Sequence, residues 1–229
     1  MATNRRARGK RGDSAPARAR IVRLSAEARR AQLLDTAADL VVNRGFDAVT
    51  MEAVGEAAGA SKTLGYAYFT NVDELILELW EREVGRLVDR VLEAATDAAS
   101  LEDKLRAVVH AYWDTVEERG QLLGSLQAGL AARRVDTSQS PRTLEFVRWL
   151  TAAIREEYRI SGRDALSLAI AVSSIPTLFS DQIQVLDGDR ERLEPISTEF
   201  AIGGLMRALE ALSVPASAQP RLMRRSRRA

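Results

Sequence analysis

Residues 49–69, VTMEAVGEAAGASKTLGYAYF, contain two short helical patterns separated by one tight turn. Thr50 is a typical N-cap residue, and Gly59 can adopt the left-handed conformation that commonly ends a helix. The apolar residues between them recur at the spacing of one helix face: Met51, Val54, Ala57 and Ala58. The first pattern is therefore predicted to be a helix with one buried side.

The second pattern begins at Ser61, which is predicted to cap another short helix. Two short helices joined by so brief a turn cross steeply and leave the second one exposed, as a DNA major groove requires. The stretch therefore predicts a helix-turn-helix. Its predicted DNA-binding residues are Thr50, Ser61, Lys62, Thr63, Leu64, Tyr66, Ala67 and Tyr68.

Individual roles follow from side-chain chemistry. Lys62 and Thr63 lie on the first turn, where helix residues reach base edges, and lysine suits the acceptors of guanine. Tyr66 and Tyr68 can donate hydroxyl groups to phosphates, whereas Phe69 is expected to pack beneath them. The alternative is a solvated surface lysine with aromatic side chains that belong only to the core.

Residues 30–75 resemble the DNA-binding domain of the TetR family of transcriptional regulators. The resemblance rests on LLDTAADLVVNRGFDAVTM, VGEAAGAS, YAYF and the following DEL. It implies an all-helical homodimer with an N-terminal DNA-binding domain and a larger ligand-binding and dimerisation domain. Three residues depart from the family pattern: Gly55 for alanine, Gly65 for a larger apolar residue, and Val72 for a lysine that meets a phosphate.

The composition favours an all-α fold. Apolar residues make up 46% of the 229 residues and charged residues 28%, as in ordinary globular proteins. The absence of cysteine excludes disulfides and zinc fingers and fits a cytoplasmic location. No apolar run is long enough for a membrane span, and the arginine-rich start lacks the apolar core of a signal peptide.

Basic residues are concentrated at the two ends of the chain. Residues 1–23 carry eight basic residues against one acid, and residues 213–229 carry five with no acid. Both segments are predicted to be disordered. The N-terminal segment is either an arm that lays arginines along DNA phosphates or into an adjacent minor groove, or a solvated tail, or the result of a mistaken start codon. The helix-turn-helix domain, residues 24–71, has only four basic residues against six acids.

A helical ligand-binding and dimerisation domain is predicted for residues 72–212. Asn71 and Glu74 form a capping-box-like start for a long helix over 72–99, which would link the two domains. Turn signals, Gly120 among them, divide the rest into helices over 101–119, 121–133, 141–159, 164–186 and 190–212. Pro176 lacks the amide that would bond the carbonyl of Val172, so the helix should bend there.

No catalytic or metal-binding constellation is evident in this domain. His110 is the only histidine, which argues against an enzyme and against a metal site, and no cofactor is predicted. Aromatic residues at helical spacing are usually core residues. The family resemblance favours the alternative that some of them line a pocket for a partly apolar effector: His110, Trp113, Phe146, Trp149 and Phe179.

The last two predicted helices, 164–186 and 190–212, carry more apolar surface than one protomer is expected to hide. Two such helices from each of two chains would form a four-helix dimer interface. Leu205 and Leu209 are expected to lie in it, and ordinary core packing is the alternative.

The sequence therefore predicts a homodimeric regulator, a repressor that a small-molecule effector releases from its double-stranded DNA operator. The alternatives are a ligand-independent DNA-binding regulator dominated by its basic tails, and a helical enzyme with a DNA-binding domain.

Overall fold

The computed structural model describes residues 24–59, 61–135, 137, 140–186 and 189–213, apart from the side chains of Lys62, residues 181–186 and Ser213. All regular structure in these residues is helical, which confirms the all-α prediction. The α-helices are α1 Ala26–Arg44, α2 Met51–Ala57, α3 Lys62–Tyr66, α4 Val72–Ala94, α5 Leu101–Ala132, α6 Pro141–Glu157, α7 Gly162–Leu186 and α8 Arg190–Ser213, with one 3₁₀ turn, Phe46–Ala48, after α1. The predicted arm (1–23) and the basic tail after residue 213 lie outside the described residues.

Side-chain caps fix the starts of the N-terminal helices. The hydroxyl oxygen of Ser25 accepts a hydrogen bond from the Ala28 amide, and the side chain of Asn71 accepts one from the Glu74 amide at 2.8 Å. The carboxylate of Glu74 in turn accepts from the amide of Thr70. Gly45 and Gly59 end α1 and α2 with φ of 87° and 61°, which a β-carbon would strain. The predicted helix start at Asn71 and the predicted helix end at Gly59 are confirmed.

The first core is formed by buried residues of α1, α2, α4 and α5, together with Phe69 just after α3. Leu33, Leu34 and Val54 pack with Phe69 inside the helix-turn-helix unit. The first half of α4 and the last part of α5 complete the same apolar cluster, with residues Leu75, Ile76, Leu79, Leu122, Leu126 and Leu130. The helix-turn-helix unit is therefore anchored on the larger domain through two helices.

Helix α5 is continuous through Gly120, so the predicted break between residues 119 and 121 is wrong. A glycine inside a helix costs only about 1 kcal/mol, which the packing of 32 residues easily offsets. Gly120 also has no positive φ. The predicted linking helix is shorter than expected and ends at Ala94.

Helices α4 and α5 run antiparallel and are joined by ion pairs at both ends of their contact. Asp73, in the first turn of α4, pairs with Arg133 beyond the end of α5. Near the other end Arg90 pairs with Glu118, with nitrogen–oxygen distances of 3.0 and 2.8 Å. Helix α5 is longer than α4 and reaches the same unit, so it links the larger domain to the helix-turn-helix beside the predicted linking helix.

A second core is formed by α6, α7 and α8 with the start of α5. Helix α7 begins at Gly162, with Ser161 accepting from the Asp164 amide, and it continues past the buried Pro176. Leu205 and Leu209 lie in this core and are almost fully buried within the protomer. Their predicted place in a dimer interface is therefore wrong. Among the described residues, no helix is long and apolar enough to cross a bilayer.

Candidate nucleic-acid interface and effector site

Helix α3 presents a small exposed surface. The hydroxyl oxygen of Ser61 caps the helix by accepting a hydrogen bond from the Leu64 amide at 3.2 Å. Thr63, Tyr66 and Ala67 are exposed on this short segment, and half of the Tyr66 side chain is accessible. The backbone of Lys62 begins the helix, while its side chain lies outside the described residues. The described side chains of this surface include the hydroxyl groups of Thr63 and Tyr66.

The other predicted DNA-binding residues have mixed positions. Thr50 is exposed at the start of α2, where its hydroxyl oxygen accepts from the Ala53 amide at 3.1 Å. Leu64 is half-buried, and Tyr68 is half-buried against the first core. Phe69 is buried in the first core, as expected for a residue that packs inward. Thr50 and Ser61 thus offer hydroxyl groups at the starts of α2 and α3, Thr63 offers one in the first turn of α3, and Tyr66 offers one at its end.

Arg30 of α1 holds the end of the helix-turn-helix, a role that sequence reasoning missed. Its guanidinium donates to the carbonyl of Tyr68 at 2.7 Å and to the Glu78 carboxylate, and lies 4.4 Å from the centre of the Phe69 ring. The hydrogen bond to Glu78 raises the pKa of Arg30. Charge-assisted hydrogen bonds of this kind are stronger than neutral ones, so Arg30 fixes α3 relative to α4.

Gln32 braces the turn between the two short helices. Its side-chain amide donates to the carbonyl of Ala58 at 3.3 Å, beside Gly59. These contacts join residues far apart in sequence, so no local sequence pattern predicts them. They hold α3 and the preceding turn in position relative to α1.

The departure at Gly65 has a structural explanation. A β-carbon at Gly65 would lie 2.9 Å from the terminal methyl carbon of Met51. The long methionine side chain therefore fills the space that a larger residue at position 65 would occupy. At the other departure, Val72 packs against the first core, so it contributes apolar contact instead of charge.

Two of the predicted effector residues lie together. The rings of Phe146 and Trp149 on α6 stack with their centres 5.8 Å apart. Phe146 packs against three apolar clusters, those of α1–α5, of α5–α8 and of the α4–α5 crossing. The stacked pair on α6 thus lies between the clusters formed by α4 and α5 and the second core.

The remaining three predicted effector residues lie elsewhere. Trp113 is fully buried, and its indole donates to the Ser197 hydroxyl at 2.9 Å. Phe179 packs against the cluster of Trp113 and lies 6.1 Å from the ring of Phe200. His110 is exposed, with its Nδ1 atom 2.6 Å from a carboxylate oxygen of Glu194.

The surroundings of His110 are strongly polar. It lines a surface cleft of about 350 Å³ together with charged residues of α5 and α8, including Arg106, Arg190 and Glu199. Arg190 donates to Asp114, and this hydrogen bond holds the pKa of Asp114 below its ordinary value. The cleft suits charged groups and is poorly suited to an apolar ligand.

Trp80 is a buried polar group that the sequence did not single out. Its side chain is more than nine-tenths buried on α4, in the cluster against which Phe146 packs. The indole nitrogen Nε1 has no hydrogen-bond partner. A buried donor without an acceptor is rare in proteins and is expected to prefer a state in which an acceptor is supplied.

Comparison with known proteins agrees with this architecture. Residues 33–79 match the family model described as bacterial regulatory proteins, tetR family. The chain is 36% identical over 114 residues to the HTH-type transcriptional activator FasR of Mycolicibacterium smegmatis, covering 49% of this chain and 52% of that protein. It is 23% identical over 78 residues to the fatty acid metabolism regulator protein of Bacillus subtilis, covering 34% of this chain and 40% of that protein.

The fold extends further than the sequence similarity. A TetR-like transcriptional regulator from Rhodococcus sp. RHA1 superposes with a TM-score of 0.61 at 23% identity, covering 80% of this chain and 99% of that one. In sequence, by contrast, the chain spans about half or less of the length of the curated relatives it matches. The helix-turn-helix is thus the best-supported part of the likeness.

Proposed function

We propose that this protein, whose residues 33–79 match the tetR family model, is a cytoplasmic, dimeric transcriptional regulator of the TetR family that binds a DNA operator. The observation that carries the proposal is the exposed, hydroxyl-rich surface at the starts of α2 and α3. Arg30 and Gln32 hold this surface in place before DNA is bound. The chain acts by binding, and we assign it no catalytic step.

The DNA proposal is tested by selecting tight-binding duplexes from a randomised pool with the full-length protein. A two-fold dimer should select an inverted repeat with half-sites about one helical turn, roughly 34–36 Å, apart. Enrichment of a single symmetric sequence supports an operator-specific regulator. Enrichment of no sequence, with binding that depends only on salt, would favour the alternative in which basic tails provide all of the affinity.

The second copy is proposed to pack on α7 and α8. Large apolar side chains are exposed along these two helices, namely Leu166, Ile170, Ile196, Phe200 and Leu212. Two neighbouring glycines of α8, Gly203 and Gly204, have open space in front of them, which permits close approach of another helix. A monomer rarely exposes such a contiguous apolar surface, and a symmetric dimer would cover it on both chains.

The dimer proposal is tested with Ile170→Asp, because this side chain is 51% exposed and its replacement leaves the protomer core intact. A charge there would be buried without a partner in the dimer, so light scattering should report a monomer at micromolar concentration. The matched control is Leu77→Asp, an exposed apolar residue on α4 that should leave the dimer unchanged. A wild-type protein that is monomeric at this concentration would overturn the assignment.

The effector is proposed to bind where α4, α5 and α6 converge, beside the Phe146–Trp149 stack and the unpaired indole of Trp80. These residues suit an apolar chain that carries one hydrogen-bond acceptor, such as the carboxyl or acyl carbonyl oxygen of a fatty acid derivative. The name of the Bacillus subtilis relative, a fatty acid metabolism regulator, supports this class. Trp113, Phe179 and His110 are not proposed to contact the effector, although sequence reasoning included them.

The effector is tested by thermal-shift measurements with free fatty acids and their acyl esters, followed by operator titrations. A bound ligand should raise the melting temperature and weaken operator binding, with a coupling of about 1–3 kcal/mol. Trp80→Phe removes only the indole N–H and should weaken acyl binding while leaving the apolar packing. Equal binding by the wild type and Trp80→Phe would exclude the indole as the hydrogen-bond donor.

Repression is the proposed direction of regulation, with release when the effector alters the spacing of the two recognition helices. A shift of a few ångströms between the helices misregisters one of them on DNA, since the half-site spacing is fixed. The Mycolicibacterium smegmatis relative is described as an activator. A reporter gene placed behind the selected operator distinguishes the two, because repression raises expression when the protein is deleted and activation lowers it.

A further inference from the structure

Glu83 is the only ionisable residue among the buried residues that the structure describes. It lies in the middle of α4, where the neighbouring buried residues Leu79, Trp80 and Val84 are apolar. Its side chain is 2% exposed. Removing a carboxylate from water is costly unless hydrogen bonds compensate it, so this position needs an explanation beyond stability.

Both oxygens of the Glu83 carboxylate are occupied by arginines. Oε1 accepts from Arg82 at 3.2 Å and from Arg86 at 2.8 Å, both on α4. Oε2 accepts two hydrogen bonds from Arg119 on α5, at 3.2 and 2.7 Å. Arg82 also donates to Asp35 on α1 at 2.8 Å. The Glu83 carboxylate thus connects α4 to α5, and its neighbour Arg82 also connects α4 to α1.

The other ion pairs between α4 and α5 are more exposed. In Asp73–Arg133 and Arg90–Glu118 at least a third of each side chain is accessible. Exposed pairs contribute little to stability, whereas breaking a buried pair leaves an uncompensated charge. The Glu83–Arg119 contact is therefore the polar interaction that dominates this helix interface.

We propose that Glu83 is a positioning residue that fixes the register of α4 against α5, and thereby the placement of the helix-turn-helix. Apolar contacts allow neighbouring helices to slide by small amounts, but hydrogen bonds to a buried carboxylate are directional. Sliding or rotating α4 against α5 would remove both hydrogen bonds from Arg119 and leave Oε2 of the buried carboxylate without a partner. Movement of the DNA-binding unit therefore requires this cluster to break, which makes the rearrangement a switch between discrete states.

The location of the cluster supports this role. Glu83 lies between Leu79, which belongs to the first core, and Val91, which belongs to the cluster at the far end of α4. Arg82 extends the cluster to α1, whose residues Arg30 and Gln32 hold the recognition helix. The ionic cluster thus joins the larger domain to the braces of the DNA-binding surface. This inference does not depend on the identity of any effector.

Amide hydrogen exchange of the full-length protein without DNA tests the proposal. Glu83→Gln should raise exchange in residues 51–66 about tenfold or more, because tenfold corresponds to about 1.4 kcal/mol of local opening. The control is Glu118→Gln, which removes a partner from the exposed pair on the same interface and should leave this exchange unchanged. Wild-type exchange in a folded Glu83→Gln variant would overturn the proposal.

A second variant keeps the test decisive if Glu83→Gln does not fold. Glu83→Leu with Arg119→Leu replaces the buried pair by apolar side chains, which commonly preserves or raises stability. Arg82 retains Asp35, and Arg86 is more than half exposed, so neither is left buried without a partner. We expect wild-type melting but faster exchange in residues 51–66. Wild-type exchange in this variant would show that register does not depend on the ionic cluster.

Discussion

The ring of Phe46 lies directly against the backbone of Gly129. A β-carbon added at Gly129 would overlap Cδ2 of the Phe46 ring, at a separation shorter than real atoms tolerate. Phe46 belongs to the 3₁₀ turn of the DNA-binding unit, and Gly129 lies near the end of α5. Arg133, one turn further on, places its guanidinium 4.9 Å from the centre of the same ring. The end of α5 in the larger domain thus forms a packing site for the Phe46 ring.

Gly129→Ala should lower the free energy of unfolding by about 1–2 kcal/mol, because the overpacking cost exceeds the gain in helix propensity. Denaturant unfolding monitored by circular dichroism measures this change. Gly85→Ala on α4 is the matched control, since its β-carbon would meet Arg142 at an ordinary 3.6 Å. It should stabilise the protein by about 0.5–1 kcal/mol. Equal changes in the free energy of unfolding for the two substitutions would contradict close packing of Phe46 against Gly129.

Met51 and Gly65 should be thermodynamically coupled. Met51→Ala alone should cost about 2–5 kcal/mol as a buried large-to-small change. Gly65→Ala should recover part of that stability in the Met51→Ala background, where space is free, and stabilise less in the wild type, where the methionine must shift. A double-mutant cycle by denaturant unfolding should give a coupling of about 1 kcal/mol or more. Additive effects would mean that the methionine does not fill the glycine's space.

Thr63 and Tyr66 should differ in how they contribute to DNA binding. Thr63→Ala should relax discrimination between operator variants by about 1–3 kcal/mol at one position, as expected for a base contact. Tyr66→Phe should weaken all duplexes by a similar factor, as expected for a phosphate contact. Binding titrations on the selected operator and its single-base variants separate these outcomes. A uniform decrease in affinity for all duplexes with Thr63→Ala would show that Thr63 contacts the DNA phosphate backbone rather than a base.

The predicted arginine-rich arm should supply salt-dependent affinity. Deleting residues 1–23 should reduce the slope of log affinity against log salt by about 0.9 for each phosphate that the arm neutralises. Discrimination between operator variants should stay unchanged. Titrations of full-length and truncated protein at several salt concentrations measure the slopes, and equal slopes would exclude binding of the arm to DNA phosphates.

Asp114 should make stability depend on pH in the acid range. The hydrogen bond from Arg190 lowers its folded pKa below the ordinary 3.8, so the unfolded state binds protons first as the pH falls. Its stabilisation is fully present above the unfolded pKa and is lost as the pH falls through the folded value. Asp114→Asn should therefore be less stable than the wild type at pH 7, and the difference should shrink below about pH 4.

Urea unfolding of both proteins between pH 7 and pH 3 measures this difference. The control is Glu156→Gln on α6, an exposed carboxylate, which should differ little from the wild type at every pH. A gap between Asp114→Asn and the wild type that is constant with pH would show that the aspartate acts by packing rather than by its charge.

The sequence by itself determined the local structure of this protein. Ser25, Thr50, Ser61 and Asn71 start helices where their side chains cap free amides, because capping depends on residues three positions away. Gly45 and Gly59 end helices through a backbone conformation that glycine adopts without strain. The helix-turn-helix and its family likeness follow from these neighbouring residues.

The tertiary structure decided which neighbour each helix face meets. Helical spacing placed Leu205 and Leu209 on an apolar face of the helix. Only packing shows that they lie in the protomer's own core while Ile170 and Phe200 stay exposed. The continuity of α5 through Gly120 also depends on tertiary packing, because a glycine ends a helix only where packing does not stabilise the helix around it. Arg30 with Tyr68, Glu83 with Arg119 and Phe46 with Gly129 are separated by 36 residues or more, and no periodic pattern records such pairs. Their partners are set by the arrangement of α1, α4 and α5, since contacts between helices depend on how the whole chain packs.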